Sequence, residues 1–137
     1  AKIKRVKPGD KLSYLGINIQ VTAAYNVKAE RLNFHPKKEG FAGYIITIDG
    51  VRIYFAGDTD MILEMKSIKC DIALLPVSGK YVMDAEEAAK AALVLNPKIV
   101  IPMHYGVIVG SEGDALKLKE LLENKKIVTV IKEREVK

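Results

Sequence analysis

The sequence predicts an α/β protein built on one mixed β-sheet, and three of its features favour that fold class. Two apolar runs flank Asp49-Gly50, the strongest two-residue hairpin signal in the chain. After residue 60, helical patterns alternate with short apolar strand patterns, as they do in sheets with parallel strands. The chain has 137 residues, of which 49% are hydrophobic. We therefore expect a single unit, residues 1–137, with one core.

The first part of the chain is predicted to be antiparallel. Alternating apolar and polar residues predict strands over 11–15 and 17–22, which turn at Gly16, and two more strands over 44–48 and 51–55. Between these pairs, residues 24–43 are rich in Asn, Lys, Glu, Pro and Gly, so we expect a loop of nearly twenty residues there. Long loops in compact domains are usually functional or disordered. This loop contains His35.

The second part is predicted to alternate helices over 60–69, 84–95 and 111–123 with strands over 71–77, 98–101 and 127–131. The middle helix has an Asp84 cap and Glu87 in capping-box spacing. The last helix lies between Ser111 and Asn124. Helical spacing predicts that the following residues face inward: Ala85, Ala88, Ala89, Ala92, Leu93, Leu118, Leu121 and Leu122.

Composition and charge argue against several classes of function. The net charge of +5 is spread along the chain, apart from a basic N-terminal stretch that has no aromatic platform, so we do not expect a nucleic-acid partner. No apolar run approaches the roughly 20 residues of a membrane-spanning helix, nor the apolar core of a signal peptide. The single cysteine, Cys70, excludes an internal disulfide and favours a reducing compartment. We expect a cytoplasmic protein in which Cys70 is a core residue.

Two polar motifs each follow an apolar strand pattern. They are Gly57-Asp58-Thr59-Asp60 and Pro102-Met103-His104-Tyr105-Gly106. In α/β sheets, ligands collect beyond the carboxyl ends of such strands, so Asp58 and His104 could meet there as metal ligands. The residues alone leave other interpretations open. Asp58 could cap its own turn or the helix near Asp60, and His104 could be a buried histidine bonded to the backbone.

The two motifs belong to a longer set of segments that occur in a fixed order. Residues 54–60, 71–79 and 99–106 follow the upstream segments 24–26, 34–37 and 43–44. Together they resemble the second half of a metallo-β-lactamase-superfamily hydrolase, in the branch of small metal-dependent hydrolases similar to ascorbate-6-phosphate lactonase. The resemblance covers most of residues 6–110. The family's His-x-His-x-Asp-His loop, which belongs to its first half, does not occur in this sequence.

The resemblance implies the C-terminal half of a four-layer αββα fold, with one mixed sheet covered on one face by three helices. It implies two metal ions in the complete site, zinc or another divalent metal. Asp58 would hold both metals, His104 the second and His35 the first. Many relatives carry a histidine where this chain has Asn26, so His35 could either complete the site or be an exposed loop residue.

The resemblance further implies a hydrolase that acts on an ester, lactone or phosphoester. Lys80, Tyr81 and Tyr105 would lie at the same edge and could hold an anionic substrate group, or be ordinary surface. The chain by itself is expected to bind metal weakly and to be inactive without the N-terminal half, on the same or a separate polypeptide. The alternative is a non-catalytic remnant that forms a homodimer or binds proteins through the exposed sheet face.

Overall fold

Seven strands, arranged in chain order, form one mixed sheet in the computed structural model, which describes residues 3–132. The strands are β1 (Lys11–Tyr14), β2 (Ile17–Ala23), β3 (Ala42–Ile48), β4 (Val51–Phe55), β5 (Ile72–Pro76), β6 (Ile99–Met103) and β7 (Val128–Thr129). The helices are α1 (Ala85–Leu95), α2 (Glu112–Leu121) and three 3₁₀ helices over Ala29–Arg31, Lys37–Glu39 and Leu63–Ser67. The predicted α/β class is confirmed.

The sheet changes from antiparallel to parallel at β4. Strands β1 to β4 pair antiparallel and β4 to β7 pair parallel. The predicted hairpin between β3 and β4 turns at Asp49 and Gly50, with φ of 49° and 78°. Two successive positive φ angles match the twist of the flanking strands. The hairpin is therefore confirmed at the position that the Asp-Gly pair predicts.

The parallel strands direct the residues that follow them to one edge of the sheet. Phe55 at the end of β4 pairs with Leu74 of β5, and Pro76 at the end of β5 pairs with Met103 at the end of β6. The loops after β4, β5 and β6 therefore leave the sheet side by side. We call this the carboxyl edge.

Helix α1 follows its predicted bounds, with the Asp84 and Glu87 capping box formed. It packs against α2 and against the 3₁₀ helix Leu63–Ser67, so the helices form one layer. Two inward predictions were wrong, because Leu93 and Leu121 are 49% and 40% exposed. Within residues 3–132 no helix is long and apolar enough to cross a membrane.

The helix predicted over 60–69 is a 3₁₀ helix, Leu63–Ser67, and not the third α-helix that was expected. Its buried side chains, Ile62, Met65 and Ile68, recur every third residue, which matches the three residues per turn of a 3₁₀ helix. The segment begins late because Asp60 is bound elsewhere in the fold. Two α-helices and this 3₁₀ helix therefore cover one face of the sheet.

The two faces of the sheet differ in how well they are covered. On the helix side, one cross-strand row is almost fully buried in the core: Ile45, Tyr54, Ala73 and Val100. On the other side, two apolar rows are only partly covered by residues 3–132: Tyr44, Phe55, Leu74 and Ile101, and Ile46, Ile53, Ile72 and Ile99. We call these two rows the open apolar face.

Gly57 provides a test of how tightly β4 joins the carboxyl edge. Its φ is +72°, and a Cβ there would lie 2.7 Å from the Ala42 carbonyl oxygen. Gly40 has almost the same φ, +71°, but its Cβ would meet nothing within 4 Å. We expect Gly40→Ala to lower the free energy of unfolding by about 1–2 kcal/mol for the left-handed backbone. Gly57→Ala should cost about 1–3 kcal/mol more, since it also overpacks.

Urea unfolding of the two variants and the parent measures this difference. If Gly57→Ala and Gly40→Ala lower the free energy of unfolding equally, the backbone near Ala42 moves to accept the added methyl group at little cost.

Candidate metal centre

Three side chains predicted from the sequence meet at the carboxyl edge. The His35 Nε2 atom lies 3.3 Å from Asp58 Oδ2, and the His104 Nε2 atom lies 3.3 Å from Asp58 Oδ1. Each carboxylate oxygen therefore faces a different imidazole. The structure places Asp58 between the two histidines of the chain.

Each of these residues reaches the edge by a different route. Asp58 follows β4 through the left-handed Gly57, and His104 directly follows β6. The φ of His104 is +64°, a conformation that costs a residue with a side chain roughly 1–3 kcal/mol and that clusters at functional sites. His35 comes from the long loop between β2 and β3. The side chains of Asp58 and His104 are 45% and 33% exposed, so a ligand can reach them.

His35 is held from behind by Asn26. The Asn26 Oδ1 atom accepts the backbone N–H of His35 at 2.9 Å and lies 3.0 Å from His35 Nδ1. The His35 side chain is 15% exposed, so it is not the solvent-exposed loop histidine that the sequence left open. Asn26 lies at the opposite end of the ring from Asp58. It supports the histidine and does not take its place.

Asp60 is fully buried beneath the site and carries an ion pair with Arg31. Arg31 Nη1 lies 2.8 Å from Asp60 Oδ1, and Arg31 is 2% exposed. The same carboxylate accepts the Asn26 side-chain amide and the backbone N–H groups of Val27 and Lys28. A charge removed from water needs such partners. The loop that carries His35 is therefore tied to the end of β4.

The sequence did not predict this ion pair. Asp60 lies where the sequence predicts a helix to begin, but the 3₁₀ helix after it begins at Leu63, without a side-chain cap. Arg31 lies in a loop without apolar periodicity, far from Asp60 in the chain. No local sequence signal connects the two residues, because only the folded loop brings them together.

The predicted substrate-binding residues lie on two sides of the centre. Tyr105 and His104 border an open cleft of about 280 Å³ whose other lining is aliphatic, from Val107, Ile108 and Val109. This side of the centre offers an apolar surface.

On the His35 side of the centre, the Tyr81 carbonyl accepts the amide of Asn26, the residue that supports His35, at 2.9 Å. The Tyr81 ring packs edge-on against Phe34, with 4.6 Å between the ring centroids. The Lys80 ammonium lies 5.1 Å from the centre of the Tyr81 ring. Substrate binding by Lys80, Tyr81 and Tyr105 stays a prediction.

Cys70 lies away from this centre, just before β5, and packs against the core. Burial, followed by the nearby Asp71 charge, raises the pKa of the Cys70 thiol to about 11. The thiol is therefore uncharged at neutral pH, as expected of a core residue and not of a nucleophile.

The donor set fits a divalent metal that the superfamily implies, but as part of a larger site. Imidazole nitrogens and a carboxylate are ligands for zinc and similar ions. The Asn26 contact assigns the ring proton of a neutral His35 to Nδ1, which leaves two electron-pair donors, His35 Nε2 and Asp58 Oδ2, facing each other. A bound cation would relieve that contact.

The site is not closed around one ion. Among residues 3–132, no group of three His, Cys, Asp or Glu side chains is arranged to hold a metal ion. Asp58 instead faces His35 with one carboxylate oxygen and His104 with the other, so these residues would supply only part of a metal site.

Comparison with known proteins places this chain in a family. A family model described as the beta-lactamase superfamily domain matches residues 1–104. A UPF0173 metal-dependent hydrolase of Thermococcus onnurineus is 34% identical over 137 residues, covering 91% of this chain and 61% of that protein. Another from Pyrococcus furiosus is 41% identical over 95 residues, covering 66% of this chain and 42% of that protein.

Solved structures similar to this chain are described in the same terms as these relatives. A Parabacteroides distasonis protein, provisionally assigned as a metal-dependent hydrolase, has 41% identity and a TM-score of 0.84, covering 98% of this chain and 59% of its own. Igni18, a metallo hydrolase of Ignicoccus hospitalis, has 29% identity and a TM-score of 0.75, covering 93% and 56%. The chain therefore spans 42 to 61% of the length of these relatives.

The buried ion pair beneath the centre is testable by removing one partner. We expect Asp60→Ala to lower the free energy of unfolding by about 3–5 kcal/mol, because it removes the fully buried carboxylate that pairs with the buried Arg31 charge. Glu86→Ala is the control, since Glu86 pairs with Lys117 on the surface, where both side chains are more than half exposed. That variant should change stability little. Chemical unfolding followed by circular dichroism gives both values, and similar losses would contradict the structural role of Asp60.

Proposed function

Because the chain belongs to the metallo-β-lactamase superfamily, we propose that it contributes part of the divalent-metal site of a metal-dependent hydrolase. The observation that carries this proposal is the Asp58 carboxylate, which presents one oxygen to His35 and the other to His104. The names of the relatives, all metal-dependent or metallo hydrolases, support it.

His35, Asp58 and His104 would hold the metal, with zinc as the proposed ion and two ions in the complete site. A bound divalent metal supplies Lewis acidity, which lowers the pKa of a coordinated water and polarises the carbonyl or phosphoryl oxygen of a substrate. The Asp58 carboxylate faces both histidines from the segment after β4. The strained backbone of His104 sets its ring at the mouth of the aliphatic cleft. We propose an ester, lactone or phosphoester substrate.

The open apolar face is proposed to pack against the N-terminal half of the domain, on the same or a separate polypeptide. The lengths of the relatives support this arrangement, since the matched region is about half of each. Two adjacent rows of Ile, Leu, Phe and Tyr are the surface that a second layer would cover. The chain without that half is proposed to bind metal weakly and to be inactive. We also propose a cytoplasmic location, in keeping with the unpaired Cys70.

A second candidate uses the same face differently. In that case the chain is a non-catalytic module, and a second copy covers the open apolar face. The partly exposed side chains of that face, such as Phe55 at 39%, favour this candidate equally well. The metal content of the purified protein and the identity of the polypeptides in it distinguish the two functions.

Metal binding is the first test of the proposed site. We expect Asp58→Asn and His104→Ala each to weaken Zn²⁺ binding by more than about tenfold, because each removes a charge or a nitrogen donor from the site. Asp71→Asn is the matched control, since Asp71 lies just before β5, at the opposite edge of the sheet, and accepts the Arg52 backbone N–H. Isothermal titration calorimetry of the metal-free protein gives the affinities.

Removal of the metal with a chelator should abolish any esterase activity of the complete protein, and added Zn²⁺ should restore it. Equal Zn²⁺ affinity in the parent, Asp58→Asn and Asp71→Asn proteins would show that Asp58 is not a ligand.

The open apolar face gives a separate prediction about association. Leu74 lies in the middle of that face, and Leu63 is exposed on the helix side. We expect Leu74→Lys to weaken association with the N-terminal half, or with a second copy, by at least about tenfold, because a charge would be buried among apolar side chains. Leu63→Lys should have no effect. Sedimentation velocity and native mass spectrometry measure the assembly.

A complex with a second polypeptide that contains about two metal ions, the number in a two-metal hydrolase site, would support the hydrolase function. A metal-free homodimer would support the module. A parent chain that stays monomeric at high concentration and binds no second half would contradict both uses of the face.

A further inference from the structure

The side-chain amide of Asn26 is buried, 3% exposed, and its two ends cannot exchange places. Its Nδ2 atom donates to Asp60 Oδ1 at 3.0 Å and to the Tyr81 carbonyl at 2.9 Å. A carboxylate and a carbonyl can only accept hydrogen bonds. The nitrogen end of the amide must therefore face Asp60 and Tyr81.

The oxygen end consequently faces His35. It accepts the His35 backbone N–H at 2.9 Å and lies 3.0 Å from the ring Nδ1. An amide oxygen at that position requires a proton on Nδ1. Because a neutral imidazole has a single N–H, the electron pair is left on Nε2, the atom that faces Asp58.

The carboxylate that anchors Asn26 is itself held in place. Arg31 and the backbone N–H groups of Val27 and Lys28 donate to Asp60, so these contacts fix the orientation of its carboxylate. A reversed amide would set its oxygen against this carboxylate and its NH₂ group against the His35 N–H. Each mismatch leaves a buried polar group without a partner. A chain of polar contacts therefore connects Arg31 in the core to His35 at the site. It passes through Asp60 and Asn26.

We propose that Asn26 is a positioning residue that fixes the tautomer of His35, so that the Nε2 electron pair is presented to a metal ion. The assignment rests on the proposed function in one respect, the identity of the ligand that uses this electron pair. The tautomer is a property of the chain's own residues and is measured without metal.

The first measurement is the tautomer of His35 in the metal-free protein. Long-range ¹H–¹⁵N correlation spectra at about pH 8.5, above the ordinary histidine pKa of about 6.5, distinguish the two neutral forms. We expect the Nδ1–H form in the parent. Asn26→Leu should shift His35 toward the Nε2–H form, because Nδ1 loses its acceptor while Nε2–H can donate to Asp58.

Asn18→Leu makes the same chemical change at an exposed position of β2 and should leave the His35 spectrum unchanged. If Asn26→Leu does not fold, Asn26→Ala removes the same amide without adding a bulky side chain. An Nε2–H form in the parent, or no change in either Asn26 variant, would overturn the proposal.

The second measurement tests whether Asn26 acts through His35. Asn26→Leu should weaken Zn²⁺ binding by about 10–100-fold, the usual effect of losing a residue that orients a metal-ligating histidine. In a His35→Ala background the same substitution should have no further effect, since there is no ring left to orient. An equal loss in both backgrounds would show a general structural role and overturn the assignment.

The two proposals fail in different ways. If the parent binds no Zn²⁺ but Asn26→Leu still changes the tautomer, the proposed metal function is wrong and the positioning role stands. If Zn²⁺ binding depends on Asp58 and His104 but the His35 tautomer is the same with and without Asn26, the metal function stands and the positioning role is wrong.

Discussion

The buried ion pair between Arg31 and Asp60 is the interaction on which the rest of the centre depends. Moving two charges out of water costs several kcal/mol per ion, and this cost is offset only when partners and hydrogen bonds are well placed. Asp60 meets that condition with two side-chain donors and two backbone N–H groups. The loop after β2 must therefore adopt one conformation, and His35 reaches the site only in that conformation.

The same pair connects the loop to the helix layer. Arg31 Nη2 lies 2.6 Å from Glu87 Oε2, and Glu87 also closes the capping box of α1 by accepting the Asp84 N–H. A single arginine of the loop thus binds both Asp60, in the segment that follows β4, and Glu87, in the first turn of α1. The elements that surround the centre therefore share one buried polar network.

The sheet supplies the other half of the geometry. Parallel pairing of β4, β5 and β6 brings the ends of three strands to one edge, and left-handed residues at Gly57 and His104 turn the chain sharply there. Glycine adopts this conformation without strain, and the backbone strain at His104 is maintained by the paired strands behind it. The open apolar face lies on the other side of these strands from the helices, so a partner that covers the face would also border the edge that carries Asp58 and His104.

Much of this protein is determined locally and could be predicted from its sequence. The Asp49-Gly50 hairpin, the capping box of α1 and the placement of Asp58 and His104 after apolar strands depend on neighbouring residues, and all were found where expected. The short 3₁₀ helix, the exposure of Leu93 and Leu121, and the Arg31 to Asp60 to Asn26 connection depend on contacts between distant segments. Asn26 illustrates the limit, since its sequence position raised the question of a missing ligand while its role depends on which end of the amide meets His35. Local patterns encode backbone geometry, whereas side-chain burial and the pairing of buried charges are decided only when the folded chain brings distant segments together.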